Sequence, residues 1–448
     1  MTSTEPRRTD AATWLLVYVI VLYAIPSRLV IDQLGSAGAP SMLLGLASFG
    51  GWALYQLSRP TTDGETLVRR PVRIAAVIFL LCVAVSYIAA MMRPIDADEV
   101  SPADVALLSV LSWTGVLLVA NDGLSSSARL RTFAGWLAWA GGLLAALGLA
   151  QFLMNDPLVD RISIPGLRPA AFEVFSRDGF VRPSGTATHP IEFGVILTML
   201  LPLALHTAYN DRGRSVVMRW APVPLLAVAI ALTFSRSAYL SVFVALAILL
   251  VGWPSQRRRG FLISAMLLAA ALFAAVPRLF GTIGALFRNV GNDPSITSRT
   301  DSYDLFWAFF VQAPLVGRGL GTFLPKYRIF DNQYLMLLVG IGIVGTVAFG
   351  VLLLVGMGAG VRVARSAPEP AARDFGLAAA ASIGAGAVGL ATFDGFAFPM
   401  TMGTLFLVLG LSGAAYRLTF SRSLPELGEF VSDPPRRPAA RQVSEPRS

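Results

Sequence analysis

The sequence predicts an all-α membrane protein of about twelve transmembrane helices, with a large extracytoplasmic loop before the tenth that contains short amphipathic helices. Three observations predict it. The 448-residue chain is 55% hydrophobic and only 14% charged, whereas about a quarter of a soluble domain is charged. Its mean hydropathy is +0.64, so its surface needs lipid as solvent. Apolar stretches of about 20 residues, the length that crosses a hydrocarbon core, recur along almost the whole chain. The start from Met1 to Asp10 is polar and the first apolar run is long enough to span, which predicts no cleavable signal peptide.

The expected spans are 12–31, 37–57, 74–92, 103–120, 132–153, 190–209, 219–234, 239–253, 261–277, 331–356, 375–396 and 398–416. They divide the chain into an N-terminal tail 1–11, a polytopic membrane domain 12–417 and a disordered Pro-, Arg- and Ser-rich tail 418–448. Short loops holding Arg69/Arg70, Arg129/Arg131, Arg212/Arg214, Arg257 to Arg259 and Arg362/Arg365 alternate with the spans. The positive-inside bias makes them cytoplasmic and puts both termini inside an inner membrane. The opposite short loop 93–102 is acidic, with Asp96, Asp98 and Glu99. The net charge of +9 is therefore a topology signal. It predicts a lipid bilayer as partner and no nucleic acid. Cys82 is the single cysteine and there are two histidines, which predicts no disulfide, no metal-ligand cluster and no cofactor.

Two outer loops are long, 154–189 and 278–330, and long loops in compact proteins are usually functional. In the second, Thr297 or Ser298 is placed to cap an amphipathic helix running to about Gln312, with Phe306, Trp307 and Phe310 on the bilayer interface or against the bundle.

Ionisable groups in spans are costly and mark function. Here Glu192, Arg236, Asp331 and Asp394 fall at predicted outer ends, and Arg182 and His189 just precede one. The second long loop adds Arg278, Arg288, Arg299, Arg318, Lys326 and Arg328. Cations on the outer side oppose the inside bias and call for an anionic partner. A diphosphate suits the planar guanidinium fork, and an arginine pair stabilises charge building on a departing diphosphate. A sugar on a polyprenyl diphosphate fits, its lipid tail between helices and its glycan projecting outward. Transfer to an acceptor hydroxyl then needs a base, for which Asp331 is the candidate.

The run from Arg182 to Gly345 resembles the O-antigen ligase and polymerase superfamily of membrane glycosyltransferases. TFSRSAYL (233–240) resembles its Ser-Arg turn between two spans, which carries Arg236. SRTDSYDLFWAFFVQAPLVGRGLGTF (298–323) resembles its large outer loop, with Arg299, a Trp eight residues on and a Gly-rich run. DNQYLMLLVGIGIVG (331–345) resembles its His-Asn, nine residues, Gly, two residues, Gly pattern, with Asp331 in place of His and Asn332, Gly342 and Gly345 matching. RPSGTATHPIEFG (182–194) resembles the segment before the sixth span. The resemblance implies an inverting, metal-independent transfer from a polyprenyl-diphosphate glycan to a glycan, lipid or protein acceptor. Ligase and polymerase are not separated by it.

Structural roles stand beside each functional one. Arg236 can snorkel to headgroups. Arg299 can offset Asp301 and Asp304. Asp331 can cap the tenth span, a role compatible with that of a base, and Asn332 can orient it. Arg182 and Arg318 are further diphosphate candidates, or loop scaffolding. The glycines 317, 319 and 321 serve a backbone turn or bring amides to a phosphate. His189 at a helix start is a structural group or a base, and Glu192 and Asp394 bind sugar hydroxyls or pair with arginines. A secondary transporter of a polar or anionic solute is the alternative function. It would need ionisable groups near mid-depth and two related halves, and the sequence shows neither plainly.

Overall fold

The computed structural model describes residues 10–58, 70–169, 176–177, 180–276, 281, 284 and 302–421. The helices are α1 Ala11–Ala24, α2 Pro40–Ser58, α3 Pro71–Met91, α4 Ala97–Gly123, α5 Ser127–Met154, α6 Pro190–Asn210, α7 Val216–Trp220, α8 Pro222–Leu232, α9 Arg236–Gly252, α10 Ser255–Ala275, α11 Ser302–Phe310, α12 Gln333–Ser366, α13 Pro370–Gly389 and α14 Pro399–Phe420. Each predicted span has a helical counterpart. Among the described residues, seven helices are long and apolar enough to cross a membrane: α3, α4, α5, α6, α10, α12 and α14. The chain is thus an all-helical, multi-pass membrane protein.

Helix starts follow local chemistry. Pro71, Pro190, Pro222, Pro370 and Pro399 each begin a helix, where the missing N–H costs nothing and φ is already helical. Ser126, Ser215 and Ser235 accept first-turn amides with their hydroxyls.

α6 and α14 form the buried axis of the bundle. α4, α12 and α13 pack on α14, and α5, α9 and α13 pack on α6. Small residues permit close approach: a Cβ on Gly360 of α12 would lie 2.6 Å from the Gly376 carbonyl oxygen of α13. α10 has no buried residue.

Polar contacts tie each end of the bundle separately. At the end bearing the short basic loops, Asp122 receives Arg70 at 2.9 Å and Arg73 at 3.2 Å. There too Arg417 donates to the Asn121 and Leu124 carbonyls. At the opposite, loop-bearing end, Ser27 N–H meets Thr186 O at 2.9 Å and Arg28 pairs with Asp160 at 2.8 Å.

Two expectations shift. The first span was expected to reach 31, but α1 stops at Ala24, because Pro26 disfavours helix at Ile25. The chain then forms strand β1, Leu29–Ile31, antiparallel to β2, Leu167–Pro169, within the first long loop. In the second long loop Thr297 and Ser298 lie outside the described residues. The helix described there, α11, buries Phe306, which stacks on Phe310 at 5.3 Å between ring centres, while Trp307 stays exposed.

Candidate functional site

The loop-bearing end of α6 is built from the segment before it. Buried Gln151, near the end of α5, accepts the Ser184 and Gly185 amides through Oε1 at 3.0 and 2.7 Å. This fixes the turn that leads to His189. His189 caps α6, its Nδ1 accepting the Ile191 amide at 3.0 Å. Burial, and then the positive charge of Arg182, push the imidazole down to about 4. It is therefore neutral near pH 7, and with Nδ1 accepting, its proton sits on Nε2. Glu192 is fully buried. One carboxylate oxygen accepts the Thr188 amide at 2.8 Å, the other the Met400 and Thr401 amides at 3.0 and 3.4 Å. It thereby welds the start of α6 to the start of α14, and both its oxygens are engaged by backbone.

Arg182 donates from Nε to the Thr233 carbonyl at 3.0 Å. Thr233 belongs to the tight turn between α8 and α9, where Phe234 holds a left-handed φ of 49° and packs on Phe152. For a bulky residue such a conformation persists only when its surroundings impose it. Arg236 is the first residue of α9, directly after the Ser235 cap. Arg182 and Arg236 are thus brought to one turn.

The start of α12 docks on the connection between α13 and α14. Gln333 N–H meets Leu390 O at 2.9 Å, Gln333 Oε1 accepts the Phe396 amide at 2.8 Å, and Tyr334 OH donates to Ala387 O at 2.7 Å. The cap of α12 is Asn332, whose Oδ1 accepts the Tyr334 and Leu335 amides at 2.9 and 3.3 Å. Capping is therefore the work of Asn332 rather than Asp331. Across from them lies Asp394. Burial chiefly, and the charge of Asp331 next, raise its carboxyl from 3.8 to about 6. Phe398 links this group to His189, with ring centres 6.2 Å apart, and contacts Phe393 at 5.4 Å.

Arg182, His189, Glu192, Asp331, Asn332 and Asp394 are therefore assembled around the starts of α6, α12 and α14, with Arg236 at the adjoining turn. Arg299, Arg278 and Arg288 lie outside the described residues. Arg318 sits in a different constellation. Its guanidinium lies 4.6 Å from the centre of the Phe309 ring and bonds Gln312 at 3.3 Å and buried Glu99 at 3.4 Å. Glu99 also receives Arg93 at 3.1 Å and Tyr327 OH at 2.9 Å.

The Gly-rich run does something other than present amides to a ligand. The Arg318 and Gly319 amides donate to Val339 O and Gly340 O at 2.9 and 2.8 Å, and Ile343 N–H donates back to Pro314 O at 2.9 Å. At this point α12 is interrupted by Gly342, with φ 65° and ψ −171°. The loop thus satisfies the polar groups that the helix break frees, as a break at membrane depth requires. The sequence reading missed this pairing and the role of Gln151, and it took Glu99 only as part of an acidic loop rather than as a partner of Arg93, Arg318 and Tyr327. The sequence signals for Gln151 and Glu99 were present: a lone amide at the end of an apolar span, and a carboxylate opposite the basic second loop.

The fold and this gathering of charge at one end define a polytopic membrane protein with a polar site at its helix termini. Residues 221–350 match the family model described as O-antigen ligase. This match is consistent with the O-antigen ligase and polymerase superfamily. The match covers under a third of the chain, from α8 to the middle of α12. It includes Arg236, Arg299, Arg318, Asp331 and Asn332, while Arg182, His189 and Glu192 precede it and Asp394 follows. No curated protein matches the chain. The domain supports a part in cell-surface polysaccharide assembly, with ligase- or polymerase-type glycosyl transfer.

Proposed function

We propose that this protein transfers a glycan from a polyprenyl-diphosphate-linked donor to an acceptor hydroxyl at the outer face of the cytoplasmic membrane, by an inverting, metal-independent displacement. The observation that carries the reading is the O-antigen ligase match over a segment whose Arg236 and Asp331 join Arg182, His189 and Asp394 at the loop-bearing end. The basic loops at the other end support an outside location for this end, by the positive-inside bias. The same alternation supports twelve crossings with both termini cytoplasmic.

In this reading the diphosphate meets Arg182, Arg236 and Arg299, whose charge stabilises the departing group. The acceptor oxygen attacks the anomeric carbon as the bond from that carbon to the diphosphate oxygen breaks, and the diphosphate leaves with the electron pair. Asp331 takes the hydroxyl proton. Neutral His189 serves as an Nε2–H donor to donor or acceptor oxygens rather than as the base. Asn332 holds the start of α12, and so Asp331, in place.

The test is reconstitution of the full chain in vesicles with a synthetic polyprenyl-diphosphate oligosaccharide. Release of the lipid diphosphate together with an extended acceptor is the expected result. Absence of transfer to glycan, lipid and protein acceptors alike, with ion-driven uptake of a labelled sugar instead, would establish the transporter. Against a transporter stands the break in α12, whose backbone groups are bonded to the 314–319 loop rather than open to a translocated solute.

A further inference from the structure

A second polar site lies at the opposite end of the bundle, where the short basic loops gather. A cavity of about 890 Å³ opens there between α9, α12 and α13, beside the start of α10. That volume falls within the usual range for small-molecule sites. Its wall changes character with depth. Arg257, Arg365 and Arg373 line it at the helix ends, and Ile248, Val251, Ala364 and Leu377 also line it. Ala247, the lining residue farthest back along α9, is five residues from the helix end at Gly252, which at 1.5 Å per residue is about 7.5 Å toward the membrane interior.

The charge of the cavity is settled by Asp374. Its carboxylate accepts from Arg257 at 2.5 and 3.4 Å, Asn210 at 2.6 Å and Trp253 at 3.3 Å, and lies 2.9 Å from His206 Nδ1. Arg257 is held between the Tyr209 and Trp253 rings, 3.7 and 4.1 Å from their centres. Asp374 and Arg257 thus neutralise each other inside the wall. Arg365 and Arg373 are exposed and line the same cavity, leaving an excess of two positive charges at its mouth.

A cationic rim on an apolar cleft is complementary to one kind of molecule, an anion with a hydrocarbon tail. We propose that this cavity binds an anionic phospholipid from the leaflet on the basic side, its phosphate at Arg365 and Arg373 and the upper part of an acyl chain against Val251, Ala364 and Leu377. Basic clefts between helices on that side are suited to such headgroups. The lipid would bridge α9, α12 and α13; Arg236 begins the far end of α9, and Asp331 and Asp394 lie just beyond the far ends of α12 and α13.

The test uses the purified full chain with phosphatidylglycerol, phosphatidylcholine or inorganic phosphate, read by native mass spectrometry and by melting temperature. Wild type is expected to retain phosphatidylglycerol at least tenfold better than phosphatidylcholine and to melt higher with it, inorganic phosphate having no such effect. Arg365→Gln/Arg373→Gln should bring phosphatidylglycerol down to the phosphatidylcholine level, and Ala364→Trp, which fills the apolar part without changing charge, should do the same. Gel filtration of both variants establishes that they fold. Undiminished selectivity in either folded variant overturns the proposal. So does a stabilisation by inorganic phosphate equal to that by the lipid, which would make the site one for a free anion.

Discussion

Gly342→Ala should be among the most damaging single-methyl changes in the chain. Gly342 holds φ 65° and ψ −171°, a region populated essentially by glycine, where another residue costs about 1–3 kcal/mol. A Cβ there would collide with the Leu315 carbonyl and lie 2.6 Å from the Val316 nitrogen. These are backbone atoms, so the whole 314–319 loop must retreat. That retreat breaks the bonds from Ile343 N–H to Pro314 O at 2.9 Å and from Val344 N–H to Leu315 O at 3.2 Å, each contributing about 1 kcal/mol. The total is about 3–5 kcal/mol. Gly350→Ala is the matched control on the same helix, since a Cβ there meets nothing within 4 Å. Its helical conformation should make alanine neutral or better by up to about 1 kcal/mol. Thermal unfolding of the two purified variants should place Gly342→Ala several degrees below wild type and Gly350→Ala at or above it. Equal melting of the two would refute the pairing of the Gly-rich loop with the helix break.

Three further outcomes follow from the site. Asp394 binds its proton more tightly in the folded protein, titrating at about 6 against an ordinary 3.8, so its contribution to stability is greatest at low pH and falls as pH rises from about 4 to 6. The change is at most about 3 kcal/mol; Asp394→Asn should flatten that part of the melting-temperature profile, and an unchanged slope would assign it to another group. Arg182→Ala removes a charge that helps hold His189 near 4, so that imidazole should titrate higher. The chain has only two histidines, so histidine-labelled NMR can follow it, and an unmoved resonance would place Arg182 away from the ring. Asp331→Asn should lower turnover a hundredfold or more with donor affinity little changed; normal turnover would move the base to another group.

What the sequence made legible is what local pattern and periodicity encode. Each apolar run became a helix, and the sidedness of polar groups was visible because Arg182, His189, Asp331 and Asp394 all flank runs on the same alternating set of ends. Arg299 lies outside the described residues. The rest depended on pairing between distant segments. Nothing near residue 29 announces its partner at 169. The glycines at 317, 319 and 321 read first as a backbone turn and second as a phosphate cradle, and only the structure shows that Val339 and Gly340 take the Arg318 and Gly319 amides. Arg318 read as a diphosphate candidate or loop scaffolding, and its contact with the Glu99 carboxylate, 219 residues earlier, was not legible. Glu192 illustrates the same limit, because the Met400 and Thr401 amides it accepts belong to the last helix.

The central claim is that arginines at the loop-bearing end grip the leaving diphosphate, and its most direct measurement is glycan transfer in vesicles by Arg236→Ala and Arg299→Ala. The account predicts that each variant folds, still associates with vesicles, and loses about 10²–10³-fold in turnover, the scale of removing one preorganised charge stabiliser. Wild-type rates in both variants would contradict it.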